Sequence, residues 1–424
     1  MTVEKLHSLF LEYPTVCTDT RKITTGSIFF ALTGANFNGN KFAQKAIQNG
    51  AAYAIIDQKE FKISDKTILV NDVLETLQEL STYHRQYCNP KIIALTGSNG
   101  KTTTKELINA VLSKKYKTVA TIGNLNNHIG VPLTLLSIKQ DTEIAIVEMG
   151  ANHLEEIAFL CTLSQPDFGY ITNFGKAHLE GFGSTEGVIK GKSELYDYLI
   201  ANKKHIFLNA DDSVQKQKLG TYIQKIGYST TDNTFYPITF LDANPFVSIQ
   251  FENTTITSQL LGSYNFTNCC AAILMGKYFN VPLKDIKNAL EAYSPTNNRS
   301  QIITKNEHYI ILDAYNANPS SVEAALKNFH KIIRENKVLF LGDMFELGDY
   351  ANLEHQNIID LISTMAFENV YLIGEHFYKT SSSYLKFKSF EDLETYLQQN
   401  DFKKSTILIK GSRGMALERI LDLL

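Results

Sequence analysis

A glycine-rich turn followed by a lysine and a threonine is the feature of this sequence that most directly predicts chemistry. The turn lies between an apolar run at residues 91–96 and a helical pattern over 103–115. Backbone N–H groups of such a turn bind phosphate oxygens, the lysine neutralises β- and γ-phosphates, and the threonine hydroxyl ligates Mg²⁺. The pattern predicts ATP bound by Gly97, Ser98, Asn99, Gly100, Lys101, Thr102 and Thr103.

The turn departs from the standard phosphate-loop pattern at one position. That pattern has a further glycine five residues before Gly100, where this chain has Leu95. Gly97 would supply the turn instead, which makes this a variant loop. An ordinary glycine-containing strand–helix turn is the alternative interpretation.

Glu148 and His178 are predicted to lie at the same edge of a parallel sheet. Glu148 stands at the end of the strand-like run 143–149, and His178 follows the run 168–172. Ligand sites of open parallel sheets lie at the carboxyl ends of the strands, and a carboxylate there can hold the Mg²⁺ that bridges the phosphates. Exposed positions for both side chains are the alternative.

Two lysines on the predicted helix 187–199 face different directions. Lys190 and Glu194 have the spacing of an exposed ion pair, whereas Lys192 shares a face with Leu195 and Tyr196 and is expected to point inward. A buried lysine beside two Mg²⁺ ions requires a neutral or chemically modified amine.

The elements around these residues predict an α/β protein of three domains. Strands alternate with helices in most of the chain, which is typical of parallel sheets covered by helices on both faces. The polar segment 81–90 is interpreted as a linker, and the run 234–259 as a small antiparallel addition before a helix near Asn265. The predicted domains are 1–85, 86–296 and 297–424. The predicted strands are residues 27–32, 52–56, 67–70, 91–96, 143–149, 168–172, 205–209, 308–312, 337–341, 369–373 and 406–409.

Composition and charge exclude several classes of protein. The hydrophobic fraction is 44%, the charged fraction is 20% and the net charge is -3, which is ordinary globular composition without an indication of nucleic-acid or membrane binding. No apolar run approaches the roughly 18 residues that span a bilayer, and no export signal is recognised at the N-terminus. We expect a cytoplasmic monomer with reduced cysteines.

Motifs spread over the whole chain resemble the Mur ligase family. They begin with DTRKITTGSIFFALTG at residues 19–34 and end in the last predicted strand. The others are GSNGKTT, GNLNNHIGVPLTLL, VEMGAN, HLEGFGS, DAYNANPSS, LGDMFELG and IKGSRGM. The last two are most similar to the branch that adds D-alanyl-D-alanine to a UDP-N-acetylmuramoyl tripeptide. The D-N-P-[RA] signature expected of the branch that adds the third residue is not found.

The resemblance implies a small mixed α/β N-terminal domain that holds the UDP-sugar, a central ATP domain and a Rossmann-like C-terminal domain for the dipeptide. It implies two Mg²⁺ sites: Thr102 and Glu148 at the first, and His178 with a carbamylated Lys192 at the second. The implied contacts to ATP are Asn268, Arg299 and Asp313, and those to the substrates are Thr20, Arg21, Asn126, Asn127, Asn316, Lys410, Ser412 and Arg413.

The resemblance also implies a reaction and a movement. The tripeptide carboxylate would be activated as an acyl phosphate and attacked by the dipeptide amine, and the C-terminal domain would close onto the central one. A tripeptide-forming synthetase, a folylpolyglutamate-type ligase and a P-loop switch protein are the alternative functions. Lysine or diaminopimelate as the third peptide residue is left open.

Overall fold

The computed structural model describes residues 1–400 and 403–424. Three main sheets follow one another in the described chain, and a two-stranded hairpin is inserted between two strands of the first sheet. The mixed α/β architecture with mainly parallel sheets is the predicted fold class. No described helix is long and apolar enough to cross a membrane.

The N-terminal region has a four-stranded parallel sheet in the order β1-β2-β5-β6. Its centre is fully apolar and carries helices on both faces, so the region has a core of its own. Its elements are α1 (Val3–Glu12), β1 (Val16–Cys17), β2 (Ile28–Phe30), β3 (Thr33–Gly34), β4 (Phe37–Asn38), α2 (Ala43–Gln48), β5 (Tyr53–Ile56), β6 (Thr67–Leu69) and α3 (Val73–Cys88).

Residues 81–88 belong to helix α3, and the prediction of a linker there is wrong. The polar composition that indicated a loop comes from buried polar side chains with partners. His84 contacts the carbonyl oxygen of Ile138 at 2.7 Å, and Arg85 donates to the carbonyl oxygen of Ser164 at 3.0 Å. The helix ends at Asn89, which adopts a left-handed conformation before Pro90.

The central region is built on a nine-stranded sheet in the order β15-β14-β13-β12-β11-β10-β7-β9-β8. The run 234–259 forms the predicted antiparallel strands and extends the central sheet. The elements are β7 (Lys91–Thr96), α4 (Lys101–Leu112), β8 (Thr118–Ala120), α5 (Gly130–Leu136), β9 (Ile144–Glu148), α6 (Glu156–Ser164), β10 (Phe168–Ile171), α7 (Leu179–Phe182), α8 (Thr185–Ala201), β11 (His205–Asn209), α9 (Ser213–Leu219), β12 (Lys225–Ser229), β13 (Tyr236–Ala243), β14 (Phe246–Phe251), β15 (Thr254–Leu261), α10 (Asn265–Tyr278) and α11 (Leu283–Ala292).

The C-terminal region has a six-stranded sheet in the order β16-β17-β21-β18-β19-β20. In this sheet β16 pairs antiparallel with β17, and the other described pairs are parallel. Its elements are β16 (Gln301–Lys305), β17 (His308–Asp313), α12 (Pro319–Lys331), β18 (Lys337–Gly342), α13 (Ala351–Thr364), β19 (Asn369–Ile373), α14 (Glu375–Tyr378), β20 (Leu385–Phe387), α15 (Phe390–Gln399) and β21 (Thr406–Lys410).

The strand order brings the chemistry-bearing residues to one place. β7 lies between β9 and β10, and all three run parallel, so the segments after them meet at one edge of the sheet. These segments carry the glycine turn, Glu148 and His178, as the sequence predicts. The C-terminal region packs against this edge, and one buried apolar cluster includes both Leu179 and Leu347.

Candidate active site

The glycine turn between β7 and α4 adopts a conformation that requires glycine at two positions. Gly97 and Gly100 have φ angles of 140° and 79°. A Cβ at Gly97 would lie 2.0 Å from the hydroxyl of Thr172, and one at Gly100 would lie 2.6 Å from Oδ1 of Asn268. Leu95 is fully buried inside β7. The position at which the standard pattern has glycine is therefore part of the strand in this protein.

The residues after β10 hold the turn from the side. Thr172 donates to the carbonyl oxygen of Asn99 at 2.6 Å, and the Asn173 amide bonds to both the N–H and the carbonyl of Asn99. Lys101 Nζ donates to the carbonyl oxygen of Gly97 at 2.7 Å. Burial lowers the pKa of Lys101, and attraction to Glu148 partly offsets that effect. Neither Thr172 nor Asn173 was identified from the sequence.

Thr102 and Glu148 are in direct contact, which places the two predicted ligands of the first metal ion together. Thr102 Oγ1 donates to Glu148 Oε2 at 2.9 Å, and Asn126 Nδ2 donates to Glu148 Oε1 at 2.9 Å. Glu148 is only 1% exposed. A hydroxyl and a carboxylate are the oxygen ligands that Mg²⁺ prefers, so this pair fits the ion chemically.

Lys105 is a buried cation at this site that sequence reasoning missed. Its Nζ lies 3.9 Å from Oε2 of Glu148 and donates to the carbonyl oxygen of Thr121 at 2.6 Å. Its spacing could have indicated it, because a residue four positions after Lys101 lies on the same face of helix α4.

His178 lies against the C-terminal region. Its Nδ1 is 2.6 Å from Oε2 of Glu346, and its backbone has a left-handed φ of 53°. The adjacent His178 imidazole and, to a smaller extent, the charge of Lys101 lower the pKa of the Glu346 carboxyl, although burial opposes this shift. The sequence provided no pattern that would pair these distant segments. Among the described residues, no group of three or more His, Cys, Asp or Glu side chains is arranged to hold a metal ion.

Lys192 points into the protein, as its position on the helix predicted. It is 0% exposed, and its Nζ donates to the carbonyl oxygen of Ala151 at 2.9 Å. Burial, reinforced by the charge of Lys101, holds the pKa of Lys192 well below its ordinary value. Lys190 is exposed. The predicted ion pair with Glu194 is wrong, because the Glu194 carboxylate accepts from the N–H groups of Glu155 and Ala158 at the start of α6 instead.

Three further predicted ATP contacts surround the glycine turn. Asn268 accepts from the hydroxyl of Thr104 at 3.0 Å, and the Arg299 guanidinium lies 3.7 Å from the centre of the Tyr315 ring. Asp313 accepts from Lys410 Nζ at 2.6 Å. These side chains are held in place by partners from the central and C-terminal regions.

A cavity of about 1270 Å³ joins these groups. Its volume exceeds the roughly 300–1,000 Å³ of a pocket for one small ligand. Leu74 and Gln78 line it from the N-terminal region, and its other walls belong to the central and C-terminal regions. The predicted residues that line it are Ser98, Asn99, Gly100, Lys101, Thr102, Thr103, Asn126, Asn127, Glu148, His178, Asn268, Arg299, Asp313, Asn316, Lys410 and Arg413.

Three predicted substrate residues lie outside the lining of this cavity. Arg21 is exposed and pairs with Asp19, and Thr20 stands beside it on the N-terminal region. Ser412 is 2% exposed, and its hydroxyl accepts from the N–H of Phe345 at 2.9 Å. Ser412 thus supports the loop that carries Glu346.

Two asparagines that line the cavity use their side-chain oxygens locally. Asn127 Oδ1 accepts from the N–H groups of Ile129 and Gly130 at the start of α5, and Asn316 Oδ1 accepts from the N–H of Ala317 at 2.9 Å. Their side-chain oxygens therefore stabilise the loops in which the two residues lie.

Family models match all three regions of the chain. "Mur ligase family, catalytic domain" matches residues 12–86, "Mur ligase middle domain" matches 95–276, and "Mur ligase, glutamate ligase domain" matches 298–413.

Individual relatives match over nearly the full length. The UDP-N-acetylmuramoyl-tripeptide–D-alanyl-D-alanine ligase of Bacillus subtilis (strain 168) is 35% identical over 96% of this chain and 92% of that protein. The crystal structure of MurF from Acinetobacter baumannii is similar with a TM-score of 0.84 and 29% identity, over 96% of this chain and 93% of that one. MurF ligase from Thermotoga maritima, solved in complex with ADP, has a TM-score of 0.83 and 24% identity over 97% of each chain, which shows a shared fold.

Proposed function

The chain belongs to the Mur ligase family, and we propose that it joins D-alanyl-D-alanine to UDP-N-acetylmuramoyl-tripeptide in an ATP-dependent reaction. The products are the UDP-N-acetylmuramoyl-pentapeptide, ADP and phosphate, and the reaction belongs to cytoplasmic peptidoglycan precursor synthesis. The observation that carries the proposal is the buried contact of Thr102 with Glu148 in a cavity walled by all three regions. Relatives named for this activity support the choice of substrates.

Each region has one substrate in this proposal. Residues 1–85 bind the UDP-sugar, with Thr20 and Arg21 at its entrance. Residues 86–296 bind ATP, and residues 297–424 bind the dipeptide. Arg413 is the exposed cation of the C-terminal wall, whereas Lys410 already pairs with Asp313 at 2.6 Å. A monomer with this arrangement contains the complete site.

The first step transfers the γ-phosphoryl group of ATP to the tripeptide carboxylate and gives an acyl phosphate and ADP. Two anions must approach each other, so stabilisation of negative charge is the main requirement. Lys101 and the amides of residues 97–103 supply it from the central region. Mg²⁺ held by Thr102 and Glu148 would offset the charge of the phosphates. Asn126 keeps the Glu148 carboxylate oriented through its hydrogen bond to Oε1.

The second step forms the amide. The dipeptide amine attacks the acyl phosphate, the tetrahedral intermediate loses phosphate, and the amine proton leaves. No protein nucleophile is required, so the residues of the cavity act by orienting the substrates and excluding water.

We assign His178 and a carbamylated Lys192 to a second Mg²⁺ site. The lowered pKa of Lys192 favours the neutral amine, which is the form that adds CO₂ to give a carbamate and a proton. The carbamate would replace the amine with an anionic oxygen ligand. Glu346, whose Oε2 lies 2.6 Å from His178 Nδ1, would hold the imidazole ring in place.

Phosphate release from ATP tests the proposal. We expect release only when both the UDP-muramoyl tripeptide and D-alanyl-D-alanine are present. The assay is run with a tripeptide that has lysine at its third position and with one that has diaminopimelate there, and we expect the protein to prefer one of the two. Release without the dipeptide would favour a P-loop switch. Release with folate substrates or with a UDP-muramoyl dipeptide and a free diamino acid would favour the two ligase alternatives.

A further inference from the structure

The buried ammonium of Lys105 lies directly behind the carboxylate of Glu148. Lys105 is 2% exposed, and its Nζ is 3.9 Å from Oε2, the oxygen that accepts from the Thr102 hydroxyl at 2.9 Å. That separation is too long for a hydrogen bond, so the ammonium acts on the carboxylate through its charge. Both oxygens of Glu148 therefore stay available to the Thr102 and Asn126 side.

A single residue fixes the position of both charges. The carbonyl oxygen of Thr121 accepts from Lys105 Nζ at 2.6 Å, and its hydroxyl accepts from the N–H of Glu148 at 2.9 Å. Thr121 follows strand β8, which pairs with β9, so the sheet itself sets the distance between lysine and glutamate. A flexible surface pair has no such constraint.

A second carboxylate balances the lysine on its other side. Lys105 Nζ lies 3.9 Å from Oε1 of Glu106, which also accepts from Asn297 Nδ2 at 3.2 Å. Tyr293 donates its hydroxyl proton to the same carboxylate. Lys105 thus keeps an anionic neighbour even when a cation occupies the oxygens of Glu148.

We propose that Lys105 is a positioning residue, whose fixed charge holds Glu148 in the orientation that a metal–nucleotide complex requires. The inference rests on the proposed function, because it takes Glu148 as a metal ligand. Removal of groups that orient metal ligands commonly weakens metal affinity or activity by roughly 10–100-fold.

The test measures binding of Mn²⁺ with ADP to the full-length protein by the EPR signal of free Mn²⁺. The complex of Mn²⁺ with ADP is anionic, so loss of a lysine does not favour it electrostatically. For Lys105→Met we expect about tenfold weaker binding, and for Lys105→Arg, which keeps the charge, a change of less than about threefold. Half-saturating Mg²⁺ in the ligase assay should rise in Lys105→Met, with the KM for the dipeptide unchanged.

Arg85→Met is the matched control for loss of a buried cation. Arg85 is 6% exposed and bonds to backbone carbonyls and Asp167 away from the cavity. We expect this variant to be less stable and to bind Mn²⁺ and ADP normally. The inference is overturned if folded Lys105→Met binds Mn²⁺ and ADP as tightly as the wild-type protein does. It is also overturned if the half-saturating Mg²⁺ concentration and the KM for the dipeptide rise equally in this variant. Absence of Mn²⁺–ADP binding by the wild-type protein overturns the proposed function together with it.

Discussion

The two walls of the cavity are built in different ways. On the central wall, Thr102 and Glu148 are 2% and 1% exposed and already in contact. On the C-terminal wall, the Glu346 side chain is 49% exposed, although it approaches His178 to 2.6 Å. One wall is an interior network, and the other is a contact between surfaces.

The central wall is preorganised, whereas the C-terminal wall depends on a contact between two regions. A buried network keeps its geometry because an unpaired polar group in the interior is energetically unfavourable. An exposed ion pair contributes only about 0–1 kcal/mol to stability and can dissociate. Asn99 of the glycine turn and Asn318 at the start of α12 also meet at 2.8 Å. We therefore expect the central wall to keep its geometry whether or not the C-terminal region lies against it.

The largest expected effect comes from removing Lys192, which is buried behind the central wall and donates to the carbonyl oxygen of Ala151 on that wall. We expect Lys192→Ala to lower kcat by on the order of 10²–10³-fold, as for loss of a group that stabilises charge in the transition state. The ligase assay measures it, and bicarbonate with a short carboxylic acid should restore part of the activity. Full activity of the variant would contradict the carbamate assignment.

Lys190→Ala is the control on the same helix. Lys190 is exposed on α8. We expect its kcat to stay within about twofold of the wild type, because exposed substitutions rarely change stability by more than about 0.5 kcal/mol. A ¹³C NMR carbamate signal in the wild type that persists in Lys190→Ala and disappears in Lys192→Ala would locate the modification directly.

A smaller effect is expected on the docked wall at Glu346. Glu346 attracts both His178 and Lys101, so its carboxylate competes with phosphate for the lysine. We expect Glu346→Gln to tighten ATP binding by about two- to fivefold, which corresponds to an exposed interaction of up to roughly 1 kcal/mol. Calorimetry measures this change, and kcat should fall because docking loses a contact.

Glu354→Gln is the control for docking alone. Glu354 pairs with Lys176 across the same interface at 2.7 Å, and it does not line the cavity formed by the described residues. We expect unchanged ATP affinity and a radius of gyration that shrinks on ligand binding, as in the wild type. Small-angle scattering tests the closure, and a radius that ligands leave unchanged would count against it.

The sequence predicted the features that depend on local pattern. The predicted strand 143–149 is longer than β9 by one residue at each end, and the predicted strand 168–172 is longer than β10 by one residue at its carboxyl end. The agreement is close because buried parallel strands have a clear apolar signature. The edge shared by Glu148 and His178 followed from the position of each at a strand end.

Contacts between distant segments were not predictable from pattern. Thr104 and Asn268 bond across 164 positions, and Glu346 approaches His178 from another region of the chain. Helix α3 was missed in part because its polar residues His84 and Arg85 are buried, and their partners lie in the central region. Tertiary partners decided the structure at these positions.

The smallest expected effect concerns a buried histidine pair of the N-terminal region, beside the boundary with the central region, where His84 contacts the carbonyl oxygen of Ile138. His7 Nε2 meets His84 Nδ1 at 3.0 Å, and both side chains are 4% exposed. Burial lowers the pKa of both histidines, and the neighbouring His84 contributes to the lowering for His7. Below about pH 6.5 the unfolded chain binds protons at these histidines, whereas the folded protein does not until the pH is lower. The free energy of unfolding therefore decreases as the pH falls through about 6.5.

Melting temperatures at pH 7.5 and pH 5.5 test this boundary. We expect the drop in Tm on acidification to be smaller by roughly 2–4 °C in His7→Gln than in the wild type, since one titrating group is removed. His330→Gln, at an exposed site, should show the wild-type drop. If acidification lowers the Tm of His7→Gln and of the wild type by the same amount, protonation of this histidine pair does not affect stability. The contrast between interior and docked contacts would then be limited to the cavity.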